Sequence, residues 1–200
     1  YFNSFQTADG SYASYGYDSS NRQVQRSTDT RPGSAGQYSC HIWSRLVEVK
    51  IIFFSVKANA QGNLTTGRVH AAAMSATGKN NYNYSDRDGS NTSNGVKNPC
   101  AMPFTGRPDS LVVWVKFTPN GTDSSHPYAK VTATIHSDFD YIDGYAQTSD
   151  SKYVVATAVN MTIAKTNGKW KRLSIPFNYK NNGAQPRYIL LSAATNAYPG

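Results

Sequence analysis

Between Ser110 and Thr118 the side chains sort onto two alternating sides, one wholly apolar and the other mixed. Leu111, Val113, Val115 and Phe117 fall on one side, and Ser110, Val112, Trp114, Lys116 and Thr118 on the other. Successive side chains of a strand point to opposite faces, so this period of two predicts a strand whose Leu111 set is one wall of a core. A turn built from Gly106, Pro108 and Asp109 launches it. Lys130 to Ser137 repeats the pattern, with Val131, Ala133 and Ile135 set against Lys130, Thr132, Thr134 and His136. Trp170 to Tyr179 puts Leu173, Ile175, Phe177 and Tyr179 together and Pro176 opposite them, which predicts a sheet edge or a bulge. Gln37 to Trp43, Arg68 to Met74, Tyr153 to Thr162 and Tyr188 to Ala194 read as further strands.

Two stretches break the alternation. Leu46 to Val56 is nearly continuous in apolar residues and predicts one strand buried on both faces. Lys79 to Asn98, dense in Asn, Ser, Gly and Asp, predicts the longest loop, and loops of that length are usually functional. Residues 1–36 form a polar, turn-rich lead-in with one short first strand at Tyr1 to Phe5. No internal repeat or linker divides the chain, so 1–200 is expected to be one domain. Strands separated by turn signals, with no helical period, predict an all-β, antiparallel β-sandwich.

Composition supports strands: Glu48 is the single glutamate, and Thr, Ser, Asn, Val and Tyr are abundant. The net charge of +8 raises nucleic acid as a partner, but the basic residues are scattered, singly or in pairs. Electrostatic capture of a phosphate backbone needs clustering, so no nucleic acid partner is expected. An anionic polysaccharide or charged cell surface would use the same excess. Cys40 and Cys100 are compatible with one disulfide or with two free thiols, and neither stands in a zinc-binding pattern. No apolar run is long enough to span a bilayer, and a chain that begins on Tyr1 is expected to be a mature fragment whose export signal has been removed.

Candidate chemistry is sparse. Asp138, Asp140 and Asp143 follow a strand closely enough to suggest paired carboxylates for glycoside hydrolysis, calcium ligands, or a solvated turn. Asp86-Arg87-Asp88-Gly89 departs from a calcium loop, although a structural calcium ion stays open and no other cofactor is expected. His41, His70, His126 and His136 are dispersed, and the strand histidines lack an obvious triad partner; His136 is expected on a polar strand face. The aromatic residues are more suggestive. Tyr82 and Tyr84 stand in the long loop, Tyr141 and Tyr145 flank the acidic turn around Asp140, and Trp114 lies opposite the Leu111 set. Sugar C–H faces pack on aromatic planes while hydroxyls bond Asn, Asp and Arg, so these six residues form the candidate glycan site. Val112 beside Trp114 points instead to a second covered face there. Sequons at Asn63, Asn91, Asn120 and Asn160 are expected by chance in so Asn- and Thr-rich a chain.

Phe104-Thr-Gly-Arg-Pro-Asp-Ser-Leu-Val-Val-Trp-Val-Lys-Phe-Thr-Pro119 resembles the signature of the putative carbohydrate metabolism domain (PCMD) family. Gly168-Lys-Trp-Lys-Arg-Leu-Ser-Ile-Pro-Phe-Asn-Tyr179 and Pro186-Arg-Tyr-Ile-Leu-Leu-Ser-Ala193 are similar to its following strands, and Ala60-Gln-Gly-Asn-Leu-Thr-Thr-Gly-Arg68 to its preceding glycine turn. The resemblance implies a galactose-binding-like jelly roll on secreted or outer-membrane surface lipoproteins of Bacteroidetes, with carbohydrate binding or metabolism as the role and no catalytic residues to carry over. The family closes with a further strand containing an Asp-Asp pair, whereas this sequence ends at Tyr198-Pro199-Gly200. The expectation is therefore a non-catalytic carbohydrate-binding module of an exported protein. Its partner would be a glycan or polysaccharide, with contact to a membrane only through a removed lipid anchor and the oligomeric state undefined. A glycoside hydrolase using Asp138, Asp140 and Asp143, and a surface interaction domain, are the alternatives.

Overall fold

The computed structural model describes residues 2–51, 53–89, 98–119, 125–143 and 151–198. In chain order the strands are β1 (Val24–Ser27), β2 (Ser39–Ile42), β3 (Arg45–Ile51), β4 (Phe54–Ala60), β5 (Asn63–Thr65), β6 (Arg68–Ala71), β7 (Asn81–Tyr84) and β8 (Met102–Pro103). They continue with β9 (Ser110–Val115), β10 (Ala129–His136), β11 (Ile142–Asp143), β12 (Val154–Ile163), β13 (Lys171–Pro176), β14 (Asn178–Tyr179) and β15 (Tyr188–Ala194). One short helix, α1 (Ala13–Tyr17), lies in the lead-in. Among the described residues no helix is long and apolar enough to cross a membrane.

The central sheet runs β14-β12-β10-β15-β5, all antiparallel, with β8 also on β15. Alternation along β10 sends Ala129, Val131, Ala133 and Ile135 to one face, where they meet Val155, Ala156, Ala158, Ile175, Phe177 and Ile189 in the main core. Leu111, Val113, Val115 and Phe117 pack against this core as the pattern predicts, together with Leu173 from β13. The antiparallel pair β9–β13 is thus the second layer of a β-sandwich. Each large aliphatic side chain buried there contributes roughly 1.5–3 kcal/mol.

Four expectations need correction. Leu46 to Val56 is not one doubly buried strand. Ile51 pairs with Phe54, so β3 and β4 form a hairpin. Val47 and Val49 are buried, while Leu46 is 52% exposed and Phe53, at the reversal, 96%. Glu48, Lys50 and Lys57 sit on the outer face, and their spacing is the one-face signal hidden by the apolar run. Second, the stretch from Lys79 contains β7 and is no simple loop; residues 90–97 lie outside the description.

Third, the outer face of β9 is not a covered layer: Val112 and Trp114 are 44% and 39% exposed. Fourth, Trp170 to Tyr179 changes sheets. β13 pairs with β9 as far as Pro176; Phe177 then donates its N–H to the Asp109 carbonyl, and β14 joins β12. The edge inferred from Pro176 is real, and the switch lets Phe177 and Tyr179 stay with the main core. The lead-in does hold a strand, at β1 rather than at its first residues. Cys40 is exposed on β2 and Cys100 is buried, and both are free thiols.

Candidate functional site

The opposite face of the central sheet is polar. Thr134, His136 and Ser192 are buried there, and β7 and β11 cover them. Asn83 of β7 bonds Asn63 (2.6 Å) and the Ser192 hydroxyl (3.1 Å), and Thr132 donates to the Asp143 carboxyl (3.3 Å). Asn63 is therefore held inside the fold, which removes its sequon from the surface. A second polar knot lies further along. Arg68 and the fully buried Asp86 pair at 2.9 Å, so Asp86 is spent on an internal ion pair rather than on a calcium loop.

His136 lies on this polar strand face, as its place in the alternation predicts, but inside the fold. It is fully buried, stacked between Tyr141 (5.6 Å) and Tyr188 (5.7 Å). Nδ1 donates to the Ser137 carbonyl (2.9 Å), which leaves Nε2 to accept from the Ser85 hydroxyl (2.8 Å). Burial, aided by the charge of Arg87, lowers its pKa to about 4. This Ser–His pair is sealed from water, and its Nδ1 meets a backbone carbonyl, not a carboxylate; it is an internal brace.

Beyond this network a cavity of about 180 Å³ opens between the sheet end, the β6–β7 ladder, the lead-in and the β3–β4 hairpin. The lead-in reaches it by pairing. Asp9 and His70 form a parallel bridge, with Asp9 N–H bonded to the Val69 carbonyl and Ala71 N–H to the Asp9 carbonyl. Gly10 then turns at φ +96°, where a Cβ would stand 2.6 Å from the Ala71 carbonyl oxygen, so this tight approach requires glycine. The turn delivers α1 and brings Tyr12 and Tyr15 to the cavity. The hairpin closes it with Val47, Val49 and Ala58, tied by the Tyr15 hydroxyl donating to the Lys50 carbonyl and Gln23 Nε2 to the Ala60 carbonyl (2.6 Å).

One aromatic platform in the wall follows from strand register. His70 and Tyr82 are direct antiparallel partners, so their side chains share a face, and the rings stack at 4.7 Å. Behind them Asp9 accepts from His70 Nδ1 (2.8 Å, if that nitrogen carries the proton) and from the Tyr84 hydroxyl (2.7 Å), which fixes the imidazole. At the other end of the cavity stand Lys130 of β10 and Asp143 of β11. Burial pushes the Asp143 carboxyl up, opposed by Lys130 and by bonds from Thr132 and Ser192. Gln23 and Gln61 also line the space, and the buried Oε1 of each has no hydrogen-bond partner among the described residues.

The six expected ligand residues are dispersed by this geometry. Tyr82 lines the cavity, and Tyr84 supports it from behind. Tyr141 is buried against His136, its hydroxyl pushed up to about 12 by burial. Trp114 lies on the outer face of β9, with the Arg31 guanidinium 5.2 Å from its ring centre. Asp140 is engaged by Arg87, through Nε at 2.8 Å and the backbone N–H at 3.1 Å, and Asp138 takes the other arm of the same guanidinium. Tyr145 lies outside the described residues.

Asp138, Asp140 and Asp143 therefore do not share one cleft: two close on Arg87, and the third enters the cavity. Sequence reasoning missed His70, Asp9, Lys130, Gln23 and Gln61. The Asp9–His70 pair spans 61 positions and had no local signal. Among the described residues no group of three or more His, Cys, Asp or Glu could hold a metal ion.

Comparison with solved structures returns a crystal structure described as a putative glycoside hydrolase from Bacteroides thetaiotaomicron. The similarity has a TM-score of 0.60 at 13% identity, covers 98% of this chain, and shows a shared all-β fold. This chain spans only 56% of that protein's length. No family model matches the sequence, and no curated protein does.

Proposed function

We propose that this protein is a carbohydrate-binding module and that the cavity beneath the β3–β4 hairpin is its glycan site. The observation that carries the reading is the Tyr82 ring in the wall of a concave, mainly apolar cavity with amides in its lining, stacked on a histidine that Asp9 holds still. A rigid aromatic plane suits the C–H face of a sugar, and the surrounding amides suit its hydroxyls. At about 180 Å³ the space is below the roughly 300–1,000 Å³ of drug-sized sites, which favours a single terminal residue over a long glycan segment. Weak affinity is expected, near millimolar to micromolar, or about −4 to −8 kcal/mol.

The shared fold with a protein described as a glycoside hydrolase supports a carbohydrate role, as does the sequence resemblance to the PCMD family. On that reading the protein is an exported or surface-anchored partner of glycan metabolism. Catalysis by the Asp138, Asp140 and Asp143 set is disfavoured, because two carboxyl groups flanking one glycosidic bond are required and Arg87 already holds two of these three. The test is an NMR titration of the folded chain with a panel of monosaccharides and oligosaccharides, repeated with Tyr82→Ala. Shifts around Tyr82 and His70 that vanish in the variant support the reading. A folded protein whose cavity signals respond to no glycan overturns it.

A further inference from the structure

Among the described residues Lys130 has no salt-bridge partner in the cavity, although its charge acts on Asp143 across the space. Lys130 follows Ala129 at the start of β10, so its side chain leaves on the polar face while Ala129 and Val131 enter the main core. It is half-buried and lines the cavity, yet it forms no ion pair and no hydrogen bond among the described residues. Removing an ammonium from part of its hydration without giving it a partner is costly, and such groups mark positions where a partner arrives. The nearby acid, Asp143, is a poor internal counter-ion, because burial works against its ionised form and Thr132 already bonds it. His70 does not compete for an anion either, since Asp9 takes its Nδ1.

The remaining unmet groups are acceptors. Gln23 is 1% exposed, its amide nitrogen is tied to the Ala60 carbonyl, and its Oε1 is orphaned among the described residues; the Gln61 Oε1 is orphaned as well. A buried acceptor without a donor has given up its bonds to water with no return, and hydroxyl donors would supply them. An anion for Lys130, hydroxyl donors for the amides and an apolar ring face for Tyr82 belong together on one chemical class.

We propose, building on the glycan reading above, that the cavity selects a carboxylate-bearing sugar, a uronic acid type residue whose carboxylate meets Lys130 and whose ring packs on Tyr82. The excess of positive charge along the chain, +8 overall, would steer such acidic glycans toward the site.

The experiment compares binding of methyl galacturonoside and methyl glucuronoside with methyl galactoside and methyl glucoside, by NMR titration of the whole chain. The acidic sugars should bind about tenfold more tightly than their neutral counterparts, and added salt should shrink that ratio. Lys130→Met should bring the ratio to about one, and Lys130→Arg should keep the preference. Unchanged thermal unfolding of both variants separates lost recognition from lost folding. Equal binding of acidic and neutral sugars, or a preference that survives Lys130→Met, overturns this inference while leaving the glycan reading intact. Absence of binding by all four sugars and by oligosaccharides overturns both.

Discussion

The two faces of the central sheet are built from the same strands and have opposite characters. Toward β9–β13, Ala133, Ile135, Ala156 and Ile175 pack together in a hydrophobic core. Toward β7 and β11, the alternate residues Thr132, Thr134, His136 and Ser192 must find polar partners, and they obtain them from Asp143, Tyr141, Ser85 and Asn83. On the apolar face a lost contact costs in proportion to the cavity it leaves. On the polar face each unpaired group costs the desolvation it has already undergone. Where its network reaches the sheet end, partners run out, and the cavity with Lys130, Gln23 and Gln61 begins. A site arises at the limit of the fold's ability to satisfy its own polar groups.

The sharpest break in this comparison is at the buried ion pair. Arg68→Met removes the guanidinium that pairs with the buried Asp86 and should cost about 3–5 kcal/mol, read as a lowered urea midpoint. On the apolar side, Ile135→Ala should cost about 2–5 kcal/mol through cavity formation, with no change in sugar affinity once the protein is folded.

The faces should also part with pH. An unfolded histidine takes its proton near pH 6.5, whereas His136 in the fold does so only near 4. The unfolded chain therefore binds more protons in that window. The stability due to neutral His136 is full above about pH 6.5 and lost as pH falls toward 4, by about 3 kcal/mol in all. Urea unfolding at several pH values should show it, and His136→Gln, which keeps an acceptor within reach of Ser85, should flatten the dependence. A slope unchanged in that variant would place the acid sensitivity elsewhere.

The smallest effects separate the two aromatic surfaces. Tyr82→Ala should weaken sugar binding by about 0.5–1.5 kcal/mol, measured by titration. Trp114→Ala should alter stability by less than about 1 kcal/mol and leave binding unchanged, since its ring lies outside the sandwich under Arg31. Loss of binding on replacing Trp114 would move the site to the outer face of β9.

What the sequence by itself determined is the apolar half of the molecule. Alternation at Leu111 to Phe117 and at Val131 to Ile135 defines which side chains enter the core, because a strand can turn only every second residue inward. Pro176 marked an edge for an equally local reason, a missing backbone donor. The tertiary structure decided the rest. Whether Leu46 to Val56 runs straight or folds back depends on what its inner face meets, and Phe53 at the reversal carries no turn signature. Tyr82 and Tyr84 were legible as interesting aromatics, but their roles diverge only because β7 pairs with β6 and places His70 opposite Tyr82. Asp9, Gln23, Gln61, His70 and Lys130 are spread over more than half of the chain, and a polar residue in sequence looks alike whether it is solvated, braced or waiting for a ligand. Only the three-dimensional count of partners, met and unmet, tells these apart.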